Sequence, residues 1–323
     1  MTTSIDAVVS QMVALGMPDI SPHEINVDAG RWQRYGPKKL KAFYKIETRV
    51  SQRGREYYVG VFGYKGERFQ LRYEGPQLSP AEIEGLRQRR KLAEQREAQR
   101  RERDIQLAAD RAAETWAAAS PTGTSPYLQR KGVEIAGGWV RYSGQNVIVP
   151  MVRYDVPEGR RLKGIQIIRP DGEKRFTSGM EKYGCAAVLG LHQVGRPILI
   201  CEGLATAASV WLAMEKMLRV VVAFDAGSLA SVVSIFSLLY PESHLVICSD
   251  DDYLTVGNPG TQKAFRAAKD TPRTYFLRPQ FAARGVAKLT DFNDLHQAEG
   301  LAEVRAQIRR LVSFLETPCP HRS

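Results

Sequence analysis

The sequence lacks long apolar runs and closely spaced cysteines. No stretch of its 323 residues approaches the roughly 18 uninterrupted apolar residues that a membrane helix needs. No basic run precedes an apolar block near the amino terminus, so we expect no secretory signal. The four cysteines contain no C-x-x-C pair, which argues against a zinc site or a disulfide framework. We therefore expect a cytoplasmic chain with neither zinc nor a membrane partner.

A P-loop is also missing, since no G-x-x-x-x-G-K-[ST] segment occurs, and this argues against an ATP-driven motor of that kind. The chain does have positive charge, with a net value of +11. Residues 31–72 hold twelve Lys and Arg against three Asp and Glu, whereas residues 181–323 hold fifteen against fourteen. A field of this kind favours capture of polyanions, although a plain solvated basic surface would have the same composition.

The amino-acid composition and the spacing of apolar residues change several times along the chain. Residues 31–75 alternate as short strands, and aromatic residues there interleave with basic ones, which suits either a half-buried sheet or contact with single-stranded nucleic acid. Residues 80–114 are rich in Glu, Arg, Gln and Ala and predict one long helix. We predict five segments: a basic β-rich region (1–78), a helical linker (79–119), an α+β subdomain (120–195), a parallel α/β domain (196–300), and a helix with a tail (301–323).

Short apolar runs alternate with amphipathic helices from residue 197 onward, which predicts a parallel sheet flanked by helices. In such sheets, ligands bind at the carboxyl ends of the strands. Acidic residues follow three of these runs, at Glu202, Asp225 and Asp250–Asp252. Carboxylates gathered without histidine or cysteine favour Mg²⁺ or Mn²⁺ over zinc. A solvated loop that caps a helix is the alternative interpretation of the Asp triplet.

These motifs resemble the Toprim domain, a fold shared by bacterial-type primases, topoisomerases and several nucleases. The resemblance covers roughly residues 196–300 and rests on Ile198-Leu-Ile-Cys-Glu-Gly-Leu and Val246-Ile-Cys-Ser-Asp-Asp-Asp. It implies a metal site made of Glu202, Asp250 and Asp252. Asp291 and Asp294 match a later acidic pair of the family, but their spacing is one residue longer than its D-x-D.

The preceding segment, Asn146-Val-Ile-Val-Pro-Met to Lys174-Arg-Phe-Thr-Ser178, is similar to the amino-terminal part of the primase catalytic core. Topoisomerases and Toprim nucleases do not carry it, so it favours the primase branch found in plasmids, integrative elements and phages. The resemblance implies that basic residues here hold template and incoming nucleotide. The candidates are Lys163, Arg169, Lys174 and Arg175.

Two features depart from replicative primases. Replicative primases carry a zinc-binding domain, whose motif this sequence lacks, and they have an aspartate where this sequence has Thr206. The resemblance implies a DNA-directed nucleotidyltransferase that makes short primers on single-stranded DNA from nucleoside triphosphates, with a helicase or another replication protein acting in trans. Two alternatives stay open: a metal-dependent nuclease using the same carboxylates, and a non-catalytic single-strand-binding accessory protein with a degenerate site.

Overall fold

The computed structural model describes residues 4–36, 42–50, 56–71, 80–284 and 288–316. The chain divides into two compact units, residues 1–97 and 98–323, and the boundary falls inside a long helix. The finer division into five segments stays a prediction.

The first unit contains a four-stranded antiparallel sheet and a short helix. In chain order its elements are α1 (Ile5–Ala14), β1 (Gln33–Tyr35), β2 (Ala42–Val50), β3 (Glu56–Tyr64) and β4 (Glu67–Gln70), and the strands are ordered β1-β2-β3-β4. Alternate residues of β2 from Ala42 to Ile46 are buried, as period-two patterning requires, and Phe62 of β3 packs with Ile46 and with Met12 of α1. The strands predicted for residues 31–75 are therefore present wherever this region is described.

Helix α2 (Pro80–Ala118) is the long charged helix that the sequence predicts. Among its described residues, the buried apolar ones, Ala108 and Ala112, lie toward its carboxyl end. Ala112 and Trp116 pack there against Ile148 and Ile165 of the second unit. Residues at helical spacing near the end of α2 thus form an apolar face, because that is where a partner surface lies.

The second unit begins with an antiparallel sheet. Its elements are α3 (Pro126–Arg130), β5 (Arg141–Ser143), β6 (Asn146–Val152), β7 (Leu162–Ile168) and β8 (Lys174–Phe176), with strand order β5-β6-β7-β8. Both faces of the sheet are covered. Ile165 and Ile167 pack toward α2, whereas Ile168 belongs to the main core of the unit.

A five-stranded sheet follows, with order β13-β12-β10-β11-β9. All its neighbouring strands are parallel except the pair formed by β11 and the edge strand β9. Its strands and helices are β9 (Ala187–Leu189), β10 (Ile198–Cys201), α4 (Leu204–Ala213), β11 (Val220–Val222), α5 (Leu229–Leu239), β12 (Leu245–Cys248), α6 (Pro259–Asp270) and β13 (Thr274–Leu277). Every residue of β10, β11 and β12 is buried, because helices cover both faces.

Two final helices, α7 (Phe292–Glu299) and α8 (Leu301–Glu316), pack against α4 through buried residues such as Leu295 and Ile308. Asn293 of α7 is fully buried and donates to Ser209 Oγ of α4 at 3.0 Å. The prediction of a mixed α/β fold is confirmed, and so is the succession of strand and helix from residue 197. No helix in the described ranges is both long and apolar enough to cross a bilayer.

Candidate functional site

The carboxyl ends of the central parallel strands bring the predicted acidic residues together. Strand β10 lies between β12 and β11, and Cys201 pairs with Cys248 on one side and with Val222 on the other. Glu202 directly follows Cys201, and Asp250 lies two residues beyond Cys248. The charge of Glu202 is one of those that raise the pKa of Asp250. The proximity expected from a parallel sheet is therefore observed.

Asp250 is the centre of this group. Burial, and after it the charges of Asp291, Glu202, Asp252 and Asp294 in that order, together raise its pKa to about 8. Its Oδ1 atom is buried and has no hydrogen-bond partner among the described residues. A buried carboxylate oxygen without a partner destabilises the folded state. Either protonation of the carboxylate or a bound cation would remove this cost. We call Glu202, Asp250, Asp252, Asp291 and Asp294 the acidic cluster.

Glu202 shares this environment. Burial raises its pKa, and the charges of Asp252 and Asp225 add to the shift, while a backbone hydrogen bond from Ala226 and the charge of Lys263 oppose it. A carboxyl group whose pKa is raised toward neutrality is suited to accept or give up a proton near physiological pH.

Asp252 lies against the start of α6. Its Oδ2 accepts a hydrogen bond from the Gly260 backbone N–H at 3.1 Å. A Cβ at position 260 would stand only 3.0 Å from both this oxygen and the carbonyl oxygen of Asp250. Glycine is therefore required here by the close approach of the helix backbone to the acidic cluster.

Asp251, the middle member of the triplet, faces a different set of groups. It is 3% exposed and accepts hydrogen bonds from Asn258 at 2.6 Å, from Arg278 at 3.3 Å, and from Arg284. Burial alone would raise its pKa, but the hydrogen bonds from Asn258 and Arg284 outweigh that effect and lower it. Asp251 is thus ionised, and its hydrogen bonds hold the triplet in position. Asp250 and Asp252 belong instead to the acidic cluster, together with Glu202.

Asp291 and Asp294 begin helix α7 as a reciprocal cap. Asp291 accepts from the backbone N–H groups of Asn293 and Asp294, both at 2.8 Å, and Asp294 accepts from that of Thr290 at 2.8 Å. Burial and the charge of Asp294 raise the pKa of Asp291, and a hydrogen bond with Thr206 opposes the rise. Thr206 therefore contacts the acidic cluster from the position where the Toprim family has an aspartate. The role of this pair as metal ligands stays a prediction.

The four residues predicted to hold template and incoming nucleotide have different surroundings, and their role stays a prediction. Arg169 and Arg175 both contact Glu173, at 2.8 Å each, so that one carboxylate is shared by two guanidinium groups. Lys163 lies near Asp155, whose pKa its charge helps to lower. Lys174 lines a cleft of about 460 Å³ together with Arg130, Lys131 and Asp171. We call it the α3 cleft.

Several cations around the carboxylates were not predicted from the sequence. Lys182 pairs with Asp225 and lies 4.0 Å from the ring centroid of Phe176. Arg278 and Arg284 reach Asp251 from 27 and 33 residues away along the chain. No local pattern signals such pairs, because the partners meet only through the sheet edge and the segment that follows β13.

The donor set suits a hard divalent cation. The acidic cluster offers only carboxylate oxygens as ligands. Among the described residues, Oδ1 of Asp250 has no hydrogen-bond partner, and a bound cation would provide one. Within the described ranges, no three His, Cys, Asp or Glu side chains are already grouped as a metal site, so binding would require carboxylate rotations. The chemistry of the residues fits Mg²⁺ or Mn²⁺, and the metal site stays a prediction.

Fold and site thus define a mixed α/β protein with an acidic centre at the carboxyl edge of a largely parallel sheet. No protein-family model matches the chain. It is similar to "DNA primase TraC" of Escherichia coli, with 32% identity over 247 residues, which covers 70% of this chain and 23% of that protein. A second Escherichia coli protein of the same name is 36% identical over 158 residues, covering 45% of this chain and 10% of the relative. The chain therefore spans less than a quarter of the length of these curated relatives.

Two solved structures are also similar. One is the primase fragment of the bacteriophage T7 primase-helicase protein, with 16% identity, a TM-score of 0.39, and coverage of 57% of this chain and 69% of that chain. The other comes from a structure of the T7 lagging-strand DNA polymerase interacting with primase domains, with 14% identity, a TM-score of 0.39, and coverage of 59% and 90%.

Proposed function

We propose that the chain is a Toprim-type DNA primase-like nucleotidyltransferase, which makes short primers on single-stranded DNA for replication of a mobile element or phage. The acidic cluster is the observation that carries the proposal. Burial and the charges of the neighbouring carboxylates raise the pKa of Asp250, and its Oδ1 has no hydrogen-bond partner among the described residues, so the arrangement is costly without a cation. Similarity to DNA primase TraC supports primer synthesis over the other chemistries that such a site permits.

Primer synthesis is a nucleotidyl transfer. The 3′-hydroxyl oxygen of the growing strand bonds to the α-phosphorus of a nucleoside triphosphate, the bond from that phosphorus to the bridging oxygen breaks, and pyrophosphate leaves. A divalent cation, when bound, neutralises charge on the attacking and leaving oxygens. In the proposed site Asp250 and Asp252 hold that cation, and Asp291 and Asp294 lie beside them as further ligand candidates.

Glu202 has two possible tasks in this scheme, metal ligand or acceptor of the hydroxyl proton. Its raised pKa supports the second, because a base with a pKa closer to neutral pH transfers a proton more effectively. Asp251 and its arginine partners hold the triplet in position and do not touch the reacting atoms. The template would be single-stranded DNA, with a helicase or another replication protein as partner in trans.

The test is a primer-synthesis assay with single-stranded DNA, labelled ribonucleotides and Mg²⁺. We expect products from the wild-type chain and loss of at least 100-fold in the double variant Asp250→Asn/Asp252→Asn. Asp270→Asn is the matched control, because this exposed carboxylate ends α6 away from the acidic cluster. Primer synthesis that survives the double substitution would rule the site out.

The same incubation separates the alternative functions. Metal-dependent shortening of labelled single strands, without extension, would identify a nuclease. Salt-dependent DNA binding that is indifferent to Mg²⁺ and to Glu202→Gln, with neither product, would identify a non-catalytic binding protein. Either outcome would overturn the proposed primer synthesis.

A further inference from the structure

The sheet of the first unit has one face in the core of that unit and one face turned away from it. Tyr44 and Ile46 of β2 and Phe62 of β3 are buried in the core with α1. Successive residues of a strand face opposite sides, so the neighbours of these residues lie on the other side of the sheet. That side carries Phe43 and Lys45 of β2, and we call it the open face.

A single row of paired residues crosses the open face. Arg34 of β1 pairs with Phe43 of β2, which pairs with Gly63 of β3. Gly63 pairs in turn with Arg68 of β4. Directly paired residues of antiparallel strands face the same side, so these four residues share the open face. Neighbouring strands lie about 4.8 Å apart, which places the backbones of the two arginines about 14 Å apart, with an aromatic ring between them.

The aromatic centre of this row is built to hold Trp32. A Cβ at position 63 would overlap the Phe43 ring, so glycine there lets the ring lie directly on β3. Trp32 packs edge-on against Phe43, with the ring centroids 5.2 Å apart and the ring planes at 82°. Trp32 nevertheless stays 48% exposed. An exposed indole held by an aromatic neighbour offers a surface on which a nucleobase can stack at low entropic cost.

The two arginines of the row carry unmatched charge. Over the described ranges, neither Arg34 nor Arg68 has a carboxylate at ion-pair distance, whereas Lys45 and Arg49 share Glu47. Both arginines are exposed, and the Arg68 guanidinium lies 5.9 Å from the centroid of the Phe43 ring. Guanidinium groups form strong charge-assisted hydrogen bonds with phosphate oxygens.

A groove of about 630 Å³ continues the open face beside this row and belongs wholly to the first unit. Trp32, Val61 and Gln70 line it, and their aromatic, aliphatic and amide groups suit the flat faces and polar edges of bases. The groove is close to neutral, because its cations and carboxylates are equal in number: Lys45, Arg49 and Arg90 against Glu47, Glu94 and Glu97. Phosphates are therefore expected along the arginine row, and bases are expected toward the groove.

We infer that the open face binds single-stranded DNA, with a base stacked on Trp32 and phosphates paired with Arg34 and Arg68; the identification of this strand as the template rests on the proposed function. The bases of a duplex stack on one another and offer Trp32 no free ring. An acidic peptide would pair with the arginines but would gain nothing from the aromatic centre. The combination of a held indole and unmatched guanidinium groups therefore favours an unpaired strand.

The experiment measures binding of a short labelled oligodeoxythymidylate to the full chain by fluorescence anisotropy, in EDTA and without nucleotides, over a range of salt concentrations. We expect Trp32→Ala to bind at least fivefold more weakly and Trp32→Phe to stay within threefold of wild type. Arg34→Gln/Arg68→Gln should lower the slope of log affinity against log salt by about 1.4, since each phosphate contact on a single strand contributes about 0.7. Arg309→Gln/Arg310→Gln is the matched control, because it removes the same charge from exposed positions of α8 and should leave the slope unchanged.

Two further measurements separate stacking from folding and from charge. Thermal unfolding of each variant shows whether the first unit is retained. If Trp32→Ala does not fold, the arginine pair still decides the question, because both side chains are exposed. The same proteins are titrated with a duplex of equal length and with an oligoglutamate peptide, and Trp32→Ala should leave binding of the duplex unchanged.

Each outcome decides one question. Equal binding of the single strand by wild type and by the folded variants overturns the inference. Equal weakening toward the single strand and toward the duplex or the peptide also overturns it, because the open face would then respond to charge alone. If the wild type makes primers while the variants bind like wild type, the inference fails and the proposed function stands. If the variants weaken binding as expected but the wild type never makes primers, the proposed function fails and the DNA-binding surface remains.

Discussion

Replacement of Asp250 by asparagine should stabilise the metal-free protein at alkaline pH. The pKa of Asp250 is raised from 3.8 to about 8 by burial and by the neighbouring carboxylates. The folded state therefore binds this proton more tightly than the unfolded state does. The contribution of this proton to the free energy of unfolding is fully present below about pH 4. It is lost as the pH rises from about 4 to 8. Asparagine keeps the shape without the charge and removes this loss.

The expected gain can be bounded. A shift of about four pKa units, at about 1.36 kcal/mol each, gives about 6 kcal/mol for a site that cannot relax. Rotation of the carboxylates and entry of water relieve much of the repulsion, so we expect a gain of about 2 kcal/mol at pH 8 in EDTA. Near pH 4 the variant and the wild type should differ by only about 0.5 kcal/mol, because the wild-type carboxyl is protonated in the folded state and about half protonated in the unfolded state.

The assay is urea unfolding followed by tryptophan fluorescence between pH 4 and 8. A Trp32→Phe background confines the signal to the second unit, since the other three tryptophans lie beyond residue 98. Added Mn²⁺ should stabilise the wild type, by about 1.4 kcal/mol at ten times its dissociation constant, and should leave the Asp250→Asn variant nearly unchanged.

Asp155→Asn is the matched control with the opposite sign. The hydrogen bond from Arg153 outweighs burial and lowers the pKa of Asp155, so its contribution to stability is present at pH 8 and is lost as the pH falls. This variant should be less stable than wild type at pH 8 and should not respond to Mn²⁺. If Asp250→Asn were no more stable than the wild type at pH 8 without metal, the account of the acidic cluster as mutually repelling buried carboxylates would be refuted.

Three further substitutions follow from single contacts. Asn293→Ala should lower the free energy of unfolding by about 3 kcal/mol in the same urea assay, because it leaves buried acceptors unpaired, and a loss below 1 kcal/mol would contradict this. Arg284→Ala should cost about 2 kcal/mol at pH 8 and less near pH 4, since the pKa of Asp251 is lowered in the fold; a pH-independent cost would count against the ion pair. Gly260→Ala should weaken Mn²⁺ binding about 10-fold in calorimetric titration, whereas Gly159→Ala, where a Cβ meets open space, should leave it unchanged.

The sequence predicted the central sheet and the core of the candidate site. The apolar runs at Ile198–Cys201 and Leu245–Cys248 are continuous, which is typical of strands buried on both faces. Parallel strands end at one edge, so Glu202 and Asp250 had to be neighbours once those runs were recognised as strands. The edge strand β9 was not predicted, because three residues without distinctive alternation carry too little local signal.

The sequence by itself therefore determined which carboxylates meet, since apolar patterning and chain order fix strand neighbours. Only the tertiary structure decided what each charge does. It pairs Arg169 and Arg175 with Glu173, leaves Lys174 to the α3 cleft, and brings Arg284 to Asp251. The physical reason is that ion pairs and burial depend on distances between residues far apart along the chain, which no local period in the sequence encodes.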